Sequence, residues 1–189
     1  MQIPVDRVGA IRFRGNGWPG AFSVHLKDGS EHPHKLSYKD AWGFLQTYRP
    51  FRCYLCPDGT SELADISCGD PWHRPPTEDE KGRSLIIVRT ARGREILDGA
   101  VRSGYLALQK IDPTILEHSQ KNLLMKRSSI WGRLLTMKTL GLPAPTYAGF
   151  PLLENWLELA LSDKLRSLVG TAWRILQRRY YRPIFSYRS

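Results

Sequence analysis

The chain has 189 residues, of which 41% are hydrophobic and 24% charged, and its formal net charge is +10. That length suits one good domain with an appendage, and the composition is that of a globular protein, which excludes global disorder. Three cysteines are too few and too oddly spaced for a disulfide framework, no signal peptide precedes them, and no run of about 18 apolar residues exists, so the expectation is a reducing, cytoplasmic protein.

The charge is uneven. Residues 1–120 hold 16 Lys and Arg against 15 Asp and Glu, whereas residues 121–189 hold 12 against 3, so the tail carries +9. A basic segment of this kind attracts nucleic acid, anionic lipid or an acidic partner. Nucleic acid is not favoured here.

In chain order, residues 7–13 (RVGAIRF) and 21–27 (AFSVHLK) alternate apolar and polar side chains and read as two antiparallel strands. The connection from Gly15 to Gly20 matches G-x-G-x-x-G in letters. A dinucleotide fingerprint needs a helix to start there, and a strand pattern follows instead, so the stretch reads as a hairpin turn. Residues 38–47 suit a short helix that carries Trp42 and Leu45 inward and stops before Pro50.

Residues 52–70, RCYLCPDGTSELADISCGD, hold all three cysteines and three aspartates and are where chemistry is expected. Residues 71–82 (PWHRPPTEDEKG) are proline-rich, acidic and aperiodic, a surface loop. Residues 84–89 (SLIIVR) read as a strand covered on both faces. Thr90 caps a helix through Glu95 and Ala100, Gly104 ends it, and 105–111 (YLALQKI) read as a second strand, making a β-α-β unit. Asp112 caps and Pro113 opens a helix to about Met137, interrupted near Ser128 or Gly132 and closed at Gly141.

Residues 151–181 read as a last helical segment, with Leu153, Leu157, Leu161, Leu165, Leu168, Ala172, Ile175 and Leu176 near one stripe and Lys164, Arg166, Arg174, Arg178 and Arg179 on the other face. The stripe is expected to pack on its own domain. Trp156, Trp173 and the cations also describe a peripheral contact with an anionic membrane through 153–179, at the inner membrane face. The expected fold is α+β: a mixed β-sheet with a β-α-β unit, followed by C-terminal helices. Residues 1–111 form an α/β cofactor-type domain, and 112–189 a helical, basic C-terminal extension.

Three constellations carry the candidate chemistry. Cys53 and Cys56 stand as Cys-x-x-Cys, and Cys68 follows after eleven residues. Thiolates at such spacing suit zinc or an iron–sulfur cluster, with His73 or another polypeptide supplying a fourth ligand; spacing alone leaves zinc, iron–sulfur and no metal open. Asp65, Ser67, Gly69 and Asp70 read as a strand end and turn, where the glycine permits close approach to a flat ligand and the polar groups bond its edge, or where Asp65 and Asp70 cap a turn. Arg89, Thr90, Arg92 and Gly93 lie at a strand-to-helix turn, where backbone N–H groups and guanidinium groups suit a phosphate. His25, His32, His34 and His118 have no matched carboxylate or nucleophile, and no paired-carboxylate or Ser-His-Asp hydrolase can be assembled.

The strings RC-x-x-C-P-D, ELADIS-x-GD-x-W and IIVRT-x-RG-x-E-I-L, in that order, resemble the C-terminal domain of the coenzyme F420 hydrogenase/dehydrogenase beta-subunit family from about Ile11 to Gly104, and more loosely through the C-terminal helices. The resemblance implies an oxidoreductase subunit that holds FAD, a 4Fe-4S cluster and a deazaflavin site and passes electrons or hydride between them. It implies Cys53, Cys56 and Cys68 as cluster ligands, completed by a ligand outside the three cysteines. It places Asp65, Ser67, Gly69 and Asp70 at the flavin and deazaflavin region. Relatives carry a preceding half with further cysteines, which here a partner subunit is expected to supply. The competing class is a non-enzymatic binding or assembly protein with a structural zinc site and a basic tail that binds a partner or a membrane.

Overall fold

A computed structural model describes residues 3–181 apart from 16, 76, 78 and 79. The chain is α+β, with small antiparallel sheets and eight α-helices among the described residues. It divides into two compact units, the first comprising Met1–Pro50, Cys68–Ile87 and Ile111–Ser119, the second Phe51–Ser67, Val88–Lys110 and Gln120–Ser189.

In the first unit, β1 (Val8–Arg12) pairs antiparallel with β2 (Ala21–Leu26), with Ile11 opposite Val24 and Arg12 opposite Ser23, and β2 pairs antiparallel with β3 (Leu36–Ser37). The connection between β1 and β2 is the hairpin expected from the sequence. Gly20 lies at φ +76° with Gly15 so close that a Cβ on Gly20 would sit 2.5 Å from the Gly15 nitrogen, so only glycine fits. Helix α1 (Tyr38–Leu45) starts at Ser37, whose hydroxyl accepts from the Asp40 N–H at 3.1 Å and donates to the Asp40 carboxylate at 2.6 Å. Its buried residue is Ala41. Trp42 and Leu45, expected inward, stay 45% and 38% exposed, because the short helix covers only a three-stranded sheet with one small side chain. Trp42 instead meets Phe13 and Tyr38 edge-on.

In the second unit, helix α2 (Phe51–Leu55) contributes Leu55 to a core with Ile130, Leu134 and Met137 of α6 (Ile130–Thr139), Leu152 of α7 (Leu152–Leu157) and Ile175 of α8 (Leu161–Gln177). Burying each such side chain contributes about 1.5–3 kcal/mol. The approach of α8 to α6 depends on Gly132, where a Cβ would collide with Ser167 Oγ of α8 and lie 3.2 Å from its Cβ. Small polar residues fill this crossing and satisfy themselves locally: Ser167 donates to the Lys164 carbonyl at 2.7 Å and accepts from Trp156 Nε1 at 3.0 Å, and Thr171 donates to the Ser167 carbonyl at 2.7 Å.

This crossing also corrects the expected packing stripe. A close helix approach selects Ser167, Thr171 and Ile175 as the inward line, and of the residues expected to pack, only Ile175 is buried; Leu153, Leu157, Leu161, Leu165 and Leu176 are exposed. The segment is also two helices rather than one, since Ala160 takes an extended backbone (φ −59°, ψ 150°) before α8.

Strands β4 (Ile66–Gly69) and β5 (Leu85–Val88) form a separate two-stranded sheet. Helix α3 (Ala91–Arg102) follows, capped by Thr90, whose hydroxyl accepts from the Gly93 N–H at 3.0 Å, and ended by Gly104 at φ +75°. The second strand expected at 105–111 is not formed, so the β-α-β unit is absent and the expected mixed sheet is replaced by the two small ones. The alternation in YLALQKI needs a free sheet edge and a face to cover, and residues 101–114 are all exposed. Between 112 and 139 the expected interrupted helix is three pieces, α4 (Thr114–Ser119), α5 (Lys121–Ser128) and α6, with breaks at Gln120 and Ser129. Asp112 makes the expected turn, its carboxylate accepting from the Thr114 N–H at 2.8 Å.

Candidate functional site

In the second unit, the end of β5, the cap of α3 and the segment 60–67 meet in one polar cluster. The Arg89 N–H donates to the Asp65 carbonyl at 2.9 Å, and its guanidinium donates to Ser67 Oγ at 2.7 Å and to the Thr60 carbonyl at 2.9 Å. Thr90 Oγ1 donates to the Asp65 carboxylate while accepting from the Gly93 N–H. Gly93 is required by space: a Cβ there would lie 2.5 Å from the Asp65 carbonyl oxygen and 3.0 Å from Ile66 Cγ1. Five of the eight sequence-predicted cofactor residues, Asp65, Ser67, Arg89, Thr90 and Gly93, are therefore brought into one network. Arg92 stands exposed on the first turn of α3.

That geometry divides the roles. Arg89 is half-buried and engaged by chain atoms, so it braces the turn. Arg92 has no such bracing contact among the described residues and stays exposed on the first turn of α3, near the positive end of the helix dipole. Thr60 belongs to the cluster and was missed by the sequence reading, because its main contact is a backbone carbonyl that any residue type provides.

In the first unit, Asp70 meets Arg14 in a two-point ion pair, with N–O distances of 2.9 and 3.0 Å. The Asp70 hydrogen bond is the principal cause that raises the Arg14 pKa. Arg14 also lies over the Tyr38 ring at 5.1 Å, and Trp18 stacks on Trp72 at 5.3 Å with planes 11° apart. Gly82 makes room for that stack, since a Cβ there would meet the Trp18 ring at 2.6 Å. A ligand that bonded Asp70 would have to compete with Arg14. Gly69 is half-buried at the end of β4. Arg14, Trp18 and Trp72 were not singled out as site residues; the signal for the first two was the turn sequence RG-x-GWPG, which the resemblance also places near a cofactor, and for Trp72 the last letter of ELADIS-x-GD-x-W.

The three cysteines are free thiols. Cys53 lies half-buried in α2; Cys56 lies half-buried just beyond it, its Sγ donating to the Asp58 carbonyl at 3.5 Å; Cys68 is exposed on β4. Among the described residues no group of three or more His, Cys, Asp or Glu side chains is placed to hold a metal ion. His73, the alternative fourth ligand, has Nδ1 3.1 Å from Ser119 Oγ. Neither unit by itself gathers the ligands of a cluster or a zinc knot among its described residues. Near Cys56, burial first and a charge on Cys56 second raise the Tyr147 pKa.

The candidate site is thus a hydrogen-bonded strand-to-helix turn inside an α+β chain. Residues 1–114 match the family described as the C terminus of the coenzyme F420 hydrogenase/dehydrogenase beta subunit, and the chain belongs to that family. It is 33% identical over 128 residues to coenzyme F420 hydrogenase subunit beta of Methanococcus voltae, a match covering 67% of this chain and 41% of that protein. It is 29% identical over 128 residues to the protein of the same name from Methanothermobacter thermautotrophicus, with the same coverage. Over 102 residues it is 26% identical to the F420-dependent formate dehydrogenase subunit beta of Methanocaldococcus jannaschii, covering 54% of this chain and 24% of that one. The chain therefore spans about two-fifths of the length of the hydrogenase subunits it matches. No solved structure matches it significantly. No described helix is long and apolar enough to cross a membrane.

Proposed function

We propose that the chain is a subunit, or part of one, of an F420-linked oxidoreductase, in which residues 1–111 are the cofactor-type domain and 112–189 a helical extension. The observation that carries this reading is the family match over 1–114, which contains the whole Asp65–Ser67–Arg89–Thr90–Gly93 network.

FAD and the deazaflavin both bear phosphate, and the start of α3 with Arg92 supports anion binding there; Thr90 holds the turn through Asp65, and Arg89 holds it through Ser67. FAD, when bound, would supply hydride exchange with the deazaflavin. The chain's own contribution is to orient the phosphates and screen the ring from water, with Asp70 and Gly69 as the remaining candidates at the ring. For iron–sulfur, Cys53, Cys56 and Cys68 are the candidate ligands, and because they do not fit a cluster alone, no step is assigned to one. A second polypeptide with what the relatives have beyond this region, acting as a partner subunit, is part of the proposal.

The test is anaerobic isolation, through a tag on this chain, of the complex it forms in its own cell, followed by F420 reduction or oxidation read from the coenzyme's visible absorbance. Turnover that falls at least ~10-fold in Arg92→Ala, an anion contact at ~1.4 kcal/mol or more, is expected. A complex that turns over no F420, or one indifferent to Arg92 and Thr90 substitution, overturns the reading.

A further inference from the structure

Helix α8 leaves Leu161, Leu165, Val169, Trp173 and Leu176 exposed at 72, 52, 65, 68 and 58%. At 100° per residue these five fall on one stripe about 120° wide, centred about 140° from the Ser167–Thr171–Ile175 line that meets α6. Within the stripe there is no charged residue; Arg166 borders it and is paired with Asp163 at 3.2 Å. Five such side chains leave roughly 600 Å² of apolar surface in water, about the largest patch a monomer ordinarily exposes.

We propose that this stripe is where two copies of the chain associate, α8 lying antiparallel against α8 about a two-fold axis near Val169. The pattern is self-complementary. With Val169 on the axis, Leu165 of one copy meets Trp173 of the other, and Leu161 and Leu176 close the two ends. The short side chain at the centre lets the helices approach, and the large one fills the space beside leucine. Two such faces together bury roughly 1,200 Å², which reaches the lower bound of stable protein–protein contacts.

The cations do not favour an anionic bilayer as the occupant. Arg174 lies over the Tyr54 ring at 4.4 Å, Lys164 donates to the Leu157 carbonyl at 2.7 Å, and Arg178 donates to the Tyr180 hydroxyl at 3.3 Å, so these three are turned to their own unit rather than ranged beside the stripe. The stripe also lies outside residues 1–114, which the family model matches. A second copy is the partner that self-complementarity selects.

Sedimentation velocity and light scattering of the full chain from about 1 to 100 µM test this. A species of twice the 21.6 kDa chain mass is expected. Val169→Arg, which sets two like charges on the axis, and Leu165→Lys should each weaken association at least ~100-fold. Because both residues are exposed, helix content should not change, and the melting temperature of each variant should match that of the parent diluted to its monomer. The proposal is overturned by a monomer throughout the range, by a dimer indifferent to both substitutions, or by a monomer that co-sediments with phosphatidylglycerol vesicles and loses that binding in Val169→Arg, which would give the stripe to a membrane.

Discussion

The Arg89 guanidinium donates to Ser67 Oγ at 2.7 Å and to the Thr60 carbonyl at 2.9 Å, which ties the end of β5 to β4 and to the loop before it. Removing it leaves a half-buried hydroxyl and a carbonyl without their charged donor. Arg89→Ala should therefore destabilise the fold by about 1.5–3 kcal/mol, and Arg89→Lys by less, since an ammonium keeps the charge but loses the planar fork. Urea unfolding checks this, with a lower midpoint at an unchanged slope as the expected result.

Two glycines on α3 separate a packing requirement from helix propensity. A Cβ on Gly93 would meet the Asp65 carbonyl at 2.5 Å, whereas a Cβ on Gly99 would meet nothing within 4 Å. Gly93→Ala should cost about 1–3 kcal/mol through overpacking against backbone. Gly99→Ala should stabilise by roughly 0.5–1 kcal/mol, because alanine loses less backbone freedom in a helix. Parallel melts of the two variants decide the point; equal shifts of the same sign would contradict the contact.

The coupling of Tyr147 to Cys56 is measurable without any metal. Burial is the larger cause of the raised Tyr147 pKa and a charge on Cys56 the smaller, so Cys56→Ser should lower the titration midpoint without returning it to the ordinary value of about 10. The sign for stability follows from the raised folded value: the contribution is present below about pH 10 and is lost as pH rises through the folded pKa. Ring-labelled tyrosine NMR resolves this residue, and an unmoved midpoint in Cys56→Ser would separate the pair.

What could be read from the sequence was what depends on neighbours along the chain. Ser37 with Asp40, Thr90 with Gly93, and Gly104 at positive φ are all set by local backbone geometry, and each stands where its residue type placed it. What could not be read depends on partners far away in sequence. The Arg14–Asp70 pair joins residues 56 positions apart. The alternating 105–111 segment lacks a sheet edge, and no property of its own letters supplies one. Helix α8 is amphipathic as expected, yet amphipathicity does not say which face a close crossing selects; Gly132 on the opposing helix did so by admitting Ser167. At the candidate site the residue types were legible and their partners were not. Arg89 looked like an anion ligand until Thr60 and Ser67 were seen to engage it.

The loop after β4 provides an acid-sensitive contact. Arg74 donates to both oxygens of Glu80, at 2.7 and 2.9 Å, and this hydrogen bonding is the largest cause that lowers the Glu80 pKa. The Glu80 side chain is only 8% exposed, and Arg83 adds a second cation at 3.6 Å. Since the folded pKa lies below the unfolded value, the contribution to stability is present above about pH 4.3 and is lost as pH falls through the folded pKa. Arg74→Gln should raise the Glu80 midpoint, leaving burial, which raises it, against the smaller lowering influences of the Thr77 N–H and Arg83. The variant should also lose stability less steeply than the parent between about pH 5 and pH 3, because it has less of this linkage to lose. Carboxyl NMR titration reads the midpoint and urea unfolding across that range reads the slope. A Glu80 midpoint already at the ordinary value in the parent, or equal acid slopes in parent and variant, would show that the pair does not couple protonation to folding.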